Sequence, residues 1–382
     1  MSFGRKTAVV GVGYSQISRE LGLQARVLAV DAVKAAVADS GIDIQDIDGI
    51  YEYPGSTGEA AVDFQRLLGI ESLSDFGDFA ATGASALSAV IQAEMAVASG
   101  HCEVALVIRA ITREWGQMSG QTQFPPAEGA AQYLLPYGAA GAVLPVMGMR
   151  KQRRKFEYGI REEDYGAIAV NARKWSAMNE RAMLRDPITM DDYLSARYVA
   201  EPLRLLDCDY PGSGAVAVLI TTEERAKDLK QKPVFIDASS HGTGSRPDWT
   251  FPDDLLFGGT RDSARKLWER SSVTVDDVDV AEIYDGFTHI AMSWVEALGF
   301  CGIGEFGDWV DGGKTIGPGG SLPMNTSGGQ LAEGRLHGLG FLAEATQQLR
   351  GQLGERQVEG AQVAVVSNAF GPQSASLVLV TD

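Results

Sequence analysis

Ile42-Asp43-Ile44-Gln45-Asp46-Ile47-Asp48 and Val273-Thr274-Val275-Asp276-Asp277-Val278-Asp279 are one pattern written twice, 231 residues apart. Each copy opens onto an apolar stretch that ends at a tyrosine, Tyr53 in the first and Tyr284 in the second. Carried forward, the comparison sets an Ala-rich helix from Ala84 against a helix from Leu339, and a strand Val104 to Ile108 against a strand Val363 to Val366. A repeat of this length means two similar units, each built from strands and helices, rather than a solenoid of short modules.

Working outward, strand and helix alternate. Thr7 to Val12 reads as a buried strand, and Gln24 to Asp39 carries apolar residues at helical spacing before the Ser40-Gly41 stop. Ile47 to Tyr53 and Glu103 to Ile108 read as further strands, and Ser99-Gly100 ends the Ala-rich helix. Such alternation predicts an α/β protein with a mostly parallel sheet covered by helices. Roughly Ile111 to Glu201 breaks the rhythm as an insertion, with helical stretches near Val146 to Tyr158, Glu163 to Met178 and Met190 to Val199. Strand returns at Gly214 to Thr221. The expected division is residues 1–232, carrying the insertion at about 111–201, and residues 233–382.

Composition narrows the function. The 382 residues are 45% hydrophobic and 22% charged, an ordinary globular balance. Asp and Glu outnumber Lys and Arg 50 to 33, a formal charge of −17, and so acidic a surface repels a phosphate backbone; nucleic acid is not an expected partner. Cys102, Cys208 and Cys301 are scattered and odd in number, which suits reduced thiols and a cytoplasmic location. No apolar run approaches the roughly 18 residues of a membrane span, and Thr7 to Val12 is too short for a signal core.

Several site signatures fail on inspection. Gly11-Val12-Gly13 lacks the third glycine of a dinucleotide loop and reads as a tight turn. There is no Gly-x-Ser-x-Gly nucleophile elbow, and His101, His241, His289 and His337 show no metal-ligand spacing. Lys314 sits among glycines beside Asp311 and reads as a surface lysine rather than a Schiff-base former. The basic cluster Arg150, Lys151, Arg153, Arg154 and Lys155 is either the solvated face of a helix or a site for coenzyme A phosphates or an acidic partner.

Four segments resemble the thiolase superfamily, in particular thiolases of the sterol-carrier-protein-X type. They are Ala80 to Leu87, Leu205 to Asp209 with Gly214 to Ala217, Glu282 to Phe287, and Met324 to Gly329 with Glu333 to Gly338. The resemblance spans almost the whole chain. It implies a thiolase fold: duplicated βαβαβαββ halves in a five-layer αβαβα arrangement with an inserted loop domain. It also implies a dimer paired through the strand Phe76 to Ala80.

The reactive positions depart from the thiolase pattern. Ala80 stands where a thiolase carries its nucleophilic cysteine, and alanine cannot accept an acyl group. Tyr284 replaces the histidine expected in its segment, and Gly334-Arg335-Leu336, with His337 following, stands where thiolases have Gly-His-Pro. This altered pattern resembles the thiolase-like lipid-transfer proteins that act as steroid side-chain aldolases. For such a family the implied reaction is retro-aldol cleavage of a β-hydroxyacyl-CoA to a ketone and a shorter acyl-CoA, with no cofactor beyond the coenzyme A of the substrate. The implied partner is a small protein with a zinc ribbon and an OB-fold, giving a heterotetramer.

Retro-aldol chemistry needs proton transfer and donors for an enolate oxygen, not a nucleophile. Tyr284 is the candidate proton-transfer group or a plug of the core, and His337 is its partner, a polariser of the thioester oxygen, or a helix cap. Asn325 and the backbone near Gly328 and Gly329 are candidate oxyanion donors, and Asp285 is an acid or an acceptor for backbone N–H groups. Ser239, His241, Gly242 and Gly244, following a strand Val234 to Ala238, stand where thiolases bind coenzyme A or form a plain loop, and Arg150 and Arg154 are coenzyme A candidates if their cluster meets phosphates. Two other readings stay open: a non-catalytic scaffold subunit, and a thiolase-fold enzyme transforming acyl-CoA by another route.

Overall fold

The computed structural model describes residues 6–53, 59–79, 85–112, 131–134, 143–246, 253–371 and 373–381. The first half runs β1 (Thr7–Tyr14), α1 (Ala25–Ser40), β2 (Gly49–Glu52), α2 (Ala61–Leu68), β3 (Asp75–Asp78), α3 (Ser85–Ser99) and β4 (Val104–Ile111). The insertion follows with α4 (Ala131–Leu134), α5 (Val143–Tyr158), α6 (Glu162–Ala177), α7 (Met190–Ser195), β5 (Tyr198–Ala200) and β6 (Leu203–Arg204). β7 (Gly214–Thr222) and α8 (Glu223–Ala226) then close the half. The second half runs β8 (Val234–Gly242), α9 (Thr260–Arg270), β9 (Val280–Glu282), α10 (Thr288–Leu298), α11 (Phe306–Trp309), α12 (Gly329–Ala332), α13 (Leu339–Arg350), β10 (Val363–Asn368) and β11 (Ser374–Val380).

The sheet order is β3-β2-β4-β7-β1-β8-β11-β10-β9. It is palindromic: β2-β4-β7-β1 in one half answers β9-β10-β11-β8 in the other. Each half has a parallel inner pair followed by antiparallel neighbours. A parallel bridge from Ala281 to Met324 extends the second half at the edge that β3 occupies in the first. The halves join edge to edge through two residue pairs between β1 and β8.

Both faces of the strands are buried, which is why they read as continuous apolar runs rather than alternating ones. On β4, Leu106 and Ile108 join the core beneath α1 and α2, whereas Ala105 and Val107 join the central core with α3 and α13. On β10, Ala364 and Val366 also face that central core, while Val365 faces the layer of α6, α9 and α10. Five layers result, with α3 and α13 in the middle, and the thiolase architecture expected from the sequence is the one found.

The repeated aspartate pattern has a mechanical reason. Ile44–Asp46 and Val275–Asp277 are single 3-10 turns that deliver Asp48 and Asp279 to the neighbouring strand. Asp48 Oδ1 accepts the Glu103 and Val104 N–H groups, both at 2.9 Å; Asp279 Oδ2 accepts those of Gln362 and Val363 at 2.8 and 2.9 Å. Each carboxylate thereby satisfies the otherwise open start of a parallel strand.

Four expectations need correction. The sheet is not mostly parallel: among its described strands only β2–β3, β2–β4 and β9–β10 pair parallel, and the other five pairings are antiparallel. Gly11 and Gly13 lie inside β1, not at a turn: a Cβ on Gly13 would sit 2.2 Å from the Ala32 carbonyl oxygen, so the glycine lets α1 press on the strand. The strand from Val234 runs on to Gly242 because β11 continues beside it to the Ser374 pairing. The helix from Met190 stops at Ser195, and Val199 belongs to a hairpin whose other arm is Leu203–Arg204.

Candidate active site

The site forms where the ends of the two parallel inner pairs meet the α12–α13 connection. β9 ends at Glu282, and the chain beyond it is held from three sides. The carboxamide of Asn325 accepts the Ile283 N–H at 2.6 Å and donates to the Ile283 carbonyl at 2.9 Å, imitating a missing strand. The Tyr284 N–H donates to Ser367 Oγ at 3.0 Å. Gly286 is required next, since a Cβ there would lie 2.9–3.1 Å from the Tyr284 ring and hydroxyl.

Asp285 is fully buried and accepts the Gln330 N–H at 2.8 Å, with Asn325 and the Leu331 N–H as further donors. Burial pushes its carboxyl up to about 7 against those donors. The acceptor role for backbone N–H groups is the one the structure supplies. The Asn325 carboxamide, proposed as an oxyanion donor, spends an N–H on the Ile283 carbonyl at 2.9 Å. Nearby, the Gly328 N–H is likewise taken, by the Asn325 carbonyl at 2.8 Å, and that of Gly329 points to Ser327 Oγ at 3.3 Å.

His337 adopts φ +53° between Leu336 and Gly338. It is not the cap of α13; Gly338 takes that position, and no side chain caps the helix. The His337 N–H donates to Gln330 Oε1 at 3.1 Å. One buried glutamine, whose own N–H goes to Asp285, therefore joins His337 to the residue that follows Tyr284. From the first half, Arg109 on β4 lies 2.8 Å from His337 Nδ1 through Nη2, and its Nη1 donates to the Tyr53 carbonyl at 2.9 Å. The Arg109 guanidinium stacks 3.9 Å from the centre of the Tyr53 ring, which in turn lies parallel to the His337 ring at 5.9 Å.

The electrostatics favour protonated groups. Burial, reinforced by Asp209, pushes the Tyr284 hydroxyl well above the ordinary tyrosine range, while Arg335 opposes the shift. Arg335 is paired with Asp209 at 3.3 Å. Cys208 bridges to Phe287 along the backbone, beside the site, but burial and its flanking aspartates push the thiol up and keep it from becoming a nucleophile. Ala80 lies outside the described residues.

The remaining candidates lie elsewhere. Ser239, His241 and Gly242 are in β8, with Gly244 exposed beyond it; His241 Nε2 meets Ser88 Oγ of α3 at 2.9 Å. A Cβ on Gly242 would lie 2.2 Å from the Gly259 carbonyl oxygen, so this glycine seats α9 as Gly13 seats α1. The basic cluster is corrected most sharply. Arg150, Lys151 and Arg154 are buried, neither solvated nor presented to phosphate. Arg154 Nη1 donates to both oxygens of Glu296 at 2.8 Å, Lys151 is bound to Asp207 at 2.7 Å, and the Arg150 guanidinium packs over Phe370. The Arg154–Glu296 pair pins the insertion to the second half, and loss of one partner there costs about 3–5 kcal/mol. Lys314 is exposed and paired with Asp311, as its neighbours implied. Among the described residues no cluster suits a metal ion, and no helix is long and apolar enough to cross a membrane.

Sequence reading missed Arg109 and Gln330. Arg109 had a signal, a lone charge inside the apolar run Val104 to Ile111. Gln330 had none, as one polar residue in a Gly-rich turn.

A family model described as thiolase C-terminal domain-like matches residues 245–382. The chain is 36% identical to 17-hydroxy-3-oxo-4-pregnene-20-carboxyl-CoA lyase of Mycobacterium tuberculosis, covering 98% of this chain and 99% of that protein. It is 34% identical to a steroid side-chain-cleaving aldolase of Thermomonospora curvata, with 98% of each covered. Among solved structures, the Ltp2-ChsH2(DUF35) aldolase matches with a TM-score of 0.90 and 32% identity over 100% of this chain and 99% of that one. Human mitochondrial 3-ketoacyl-CoA thiolase, 15% identical with a TM-score of 0.70 and all of both chains covered, shares the fold alone. A likeness that runs end to end, on a thiolase scaffold, makes this chain a member of the thiolase superfamily in its steroid side-chain-cleaving aldolase branch.

Proposed function

We propose that the protein cleaves the side chain of a steroid β-hydroxyacyl-CoA by retro-aldol reaction. The carrying observation is a buried cluster in which Gln330 ties His337 to Asp285, next to Tyr284, while the neighbouring thiol of Cys208 is held protonated. The substrate hydroxyl passes its proton to the Tyr284 oxygen as the tyrosine's own proton moves toward the α-carbon, the bond between the carbinol carbon and the α-carbon breaks, and the electron pair becomes a thioester enolate. The α-carbon then regains a proton, giving a ketone and a shorter acyl-CoA. Tyr284 is the group we assign to proton transfer, a contribution of typically 10²- to 10⁴-fold. A hydroxyl held protonated suits the step that protonates the enolate.

In this reading coenzyme A enters only as part of the substrate, and the cytoplasm, suggested by three free cysteines, is the compartment. β3 is an edge strand, with Phe76 56% exposed, and it is the edge on which we place a second copy of the chain. The aldolase it resembles is described together with a DUF35 protein, which supports a partner of that kind here; two copies of each chain are the assembly we propose.

The test is incubation with a steroid β-hydroxyacyl-CoA, with and without such a partner, followed by detection of ketone and short acyl-CoA. Absence of both products in the complex would defeat the proposal. Incubation with acetyl-CoA should leave no covalent adduct by mass spectrometry, and a stoichiometric acyl-enzyme would contradict it equally.

A further inference from the structure

Arg109 is 2% exposed in the middle of an apolar strand, and its guanidinium is fixed by the Tyr53 carbonyl, the Tyr53 ring and His337 Nδ1. Arginine has five donors, no acceptor, and keeps its charge at any pH a protein tolerates. Across the 2.8 Å contact, Nδ1 must therefore be the acceptor. A neutral imidazole with a bare Nδ1 carries its proton on Nε2. An imidazolium would aim a second N–H at a permanent cation. The ring cannot turn away easily, since Tyr53 lies parallel to it and the His337 N–H is held by Gln330 at φ +53°.

We propose that Arg109 is a positioning residue that locks His337 as the neutral Nε2–H tautomer. His337 is thereby a hydrogen-bond donor, suited to an enolate oxygen, and not the general base. Its one acceptor lone pair is already used by Arg109, which assigns proton transfer to Tyr284. Resting on the aldolase reading only for its kinetic consequence, the inference adds that the reaction draws one essential group from the first half of the duplicated chain. Among the described residues, the charged and titratable groups seen in contact with the ring are Arg109 and Tyr53 from the first half; Tyr284, with Arg335 and Asp209 about it, ends the matching strand of the second.

The chain has four histidines, so ¹⁵N-histidine NMR of the full-length protein, with His337→Gln for assignment, reads the tautomer directly. His337 should show a protonated Nε2 and a bare Nδ1 from pH 5.5 to 8, without titrating. A protonated Nδ1, or titration near the ordinary midpoint of about 6.5, would overturn the proposal whether or not the protein proves to be an aldolase. In Arg109→Met, His337 should titrate near that midpoint, and kcat should drop about tenfold with a new loss below it, KM changing less. Arg109→Lys should restore part of the rate. An unchanged His337 spectrum in Arg109→Met would count against the proposal, and should that variant not fold, the wild-type spectrum still decides.

Discussion

Tyr53 and Tyr284 close matching strands in the two halves, yet they meet different neighbours. The Tyr53 N–H donates to a backbone carbonyl, that of Ile108, and its own carbonyl and ring are engaged by Arg109. At Tyr284 the acceptor is a side chain, Ser367, and the hydroxyl lies among Gln330, Arg335 and Asp209 in a desolvated pocket. At the matching position one strand further, Arg109 on β4 and Asn368 on β10 both point to His337, at 2.8 Å to the ring and 3.4 Å to the carbonyl. The duplicated scaffold thus brings two equivalent strand ends to one pocket. One end holds, and the other is the end to which we assign the reaction.

The largest expected effect separates those roles. Tyr284→Phe keeps the shape and removes the hydroxyl, and should lower kcat by about 10² or more with thermal stability unchanged. Near-normal turnover would make both tyrosines structural and end the contrast.

Next, the scaffold itself should behave symmetrically. Asp48→Ala and Asp279→Ala each strip two strand-opening N–H groups of a charged acceptor, and each should cost about 1.5 kcal/mol in denaturant unfolding. A large effect at one and none at the other would show that the halves share sequence pattern without sharing its use.

A smaller signature is a pH dependence belonging to the second half alone. Burial raises the Asp285 carboxyl to about 7, whereas an unfolded aspartate titrates near 3.9. Between those values the folded protein holds a proton that the unfolded chain releases, so this group's contribution to stability falls as pH rises from about 4 to 7 and is level above. Asp285→Asn should flatten the fall in Tm across that window. An unchanged slope would place the titrating group elsewhere.

The smallest effect is expected at Tyr53→Phe, which keeps the ring that supports Arg109 and His337 and should change kcat by less than about threefold. A loss as large as that of Tyr284→Phe would give both halves a reacting tyrosine.

Much of the fold was legible because it rests on short-range pattern. The aspartate repeat, the buried strands and the glycine stops at Gly41 and Gly100, both with positive φ, read directly from the chain. Tyr284, Asp285 and His337 were legible as a group through resemblance. Arg150, Lys151 and Arg154 were misread because a charge run looks alike whether water or Glu296 and Asp207 receives it. Ser239 to Gly242 were read as a loop because serine and glycine are turn residues by composition. Only the pairing with β11 makes them strand.

What the sequence determined by itself was the duplication, the order of elements and the alanine at position 80 that removes a thiolase's nucleophile. These are properties of residue identity and of periods a few residues long, and no distant contact is needed to express them. What only the tertiary structure decided was chemical state: a histidine's tautomer set by an arginine 228 residues away, a carboxyl raised to about 7, a thiol kept protonated, three cations turned inward. Protonation depends on desolvation and on the charges within a few ångströms, and those are assembled only when the two halves close on each other.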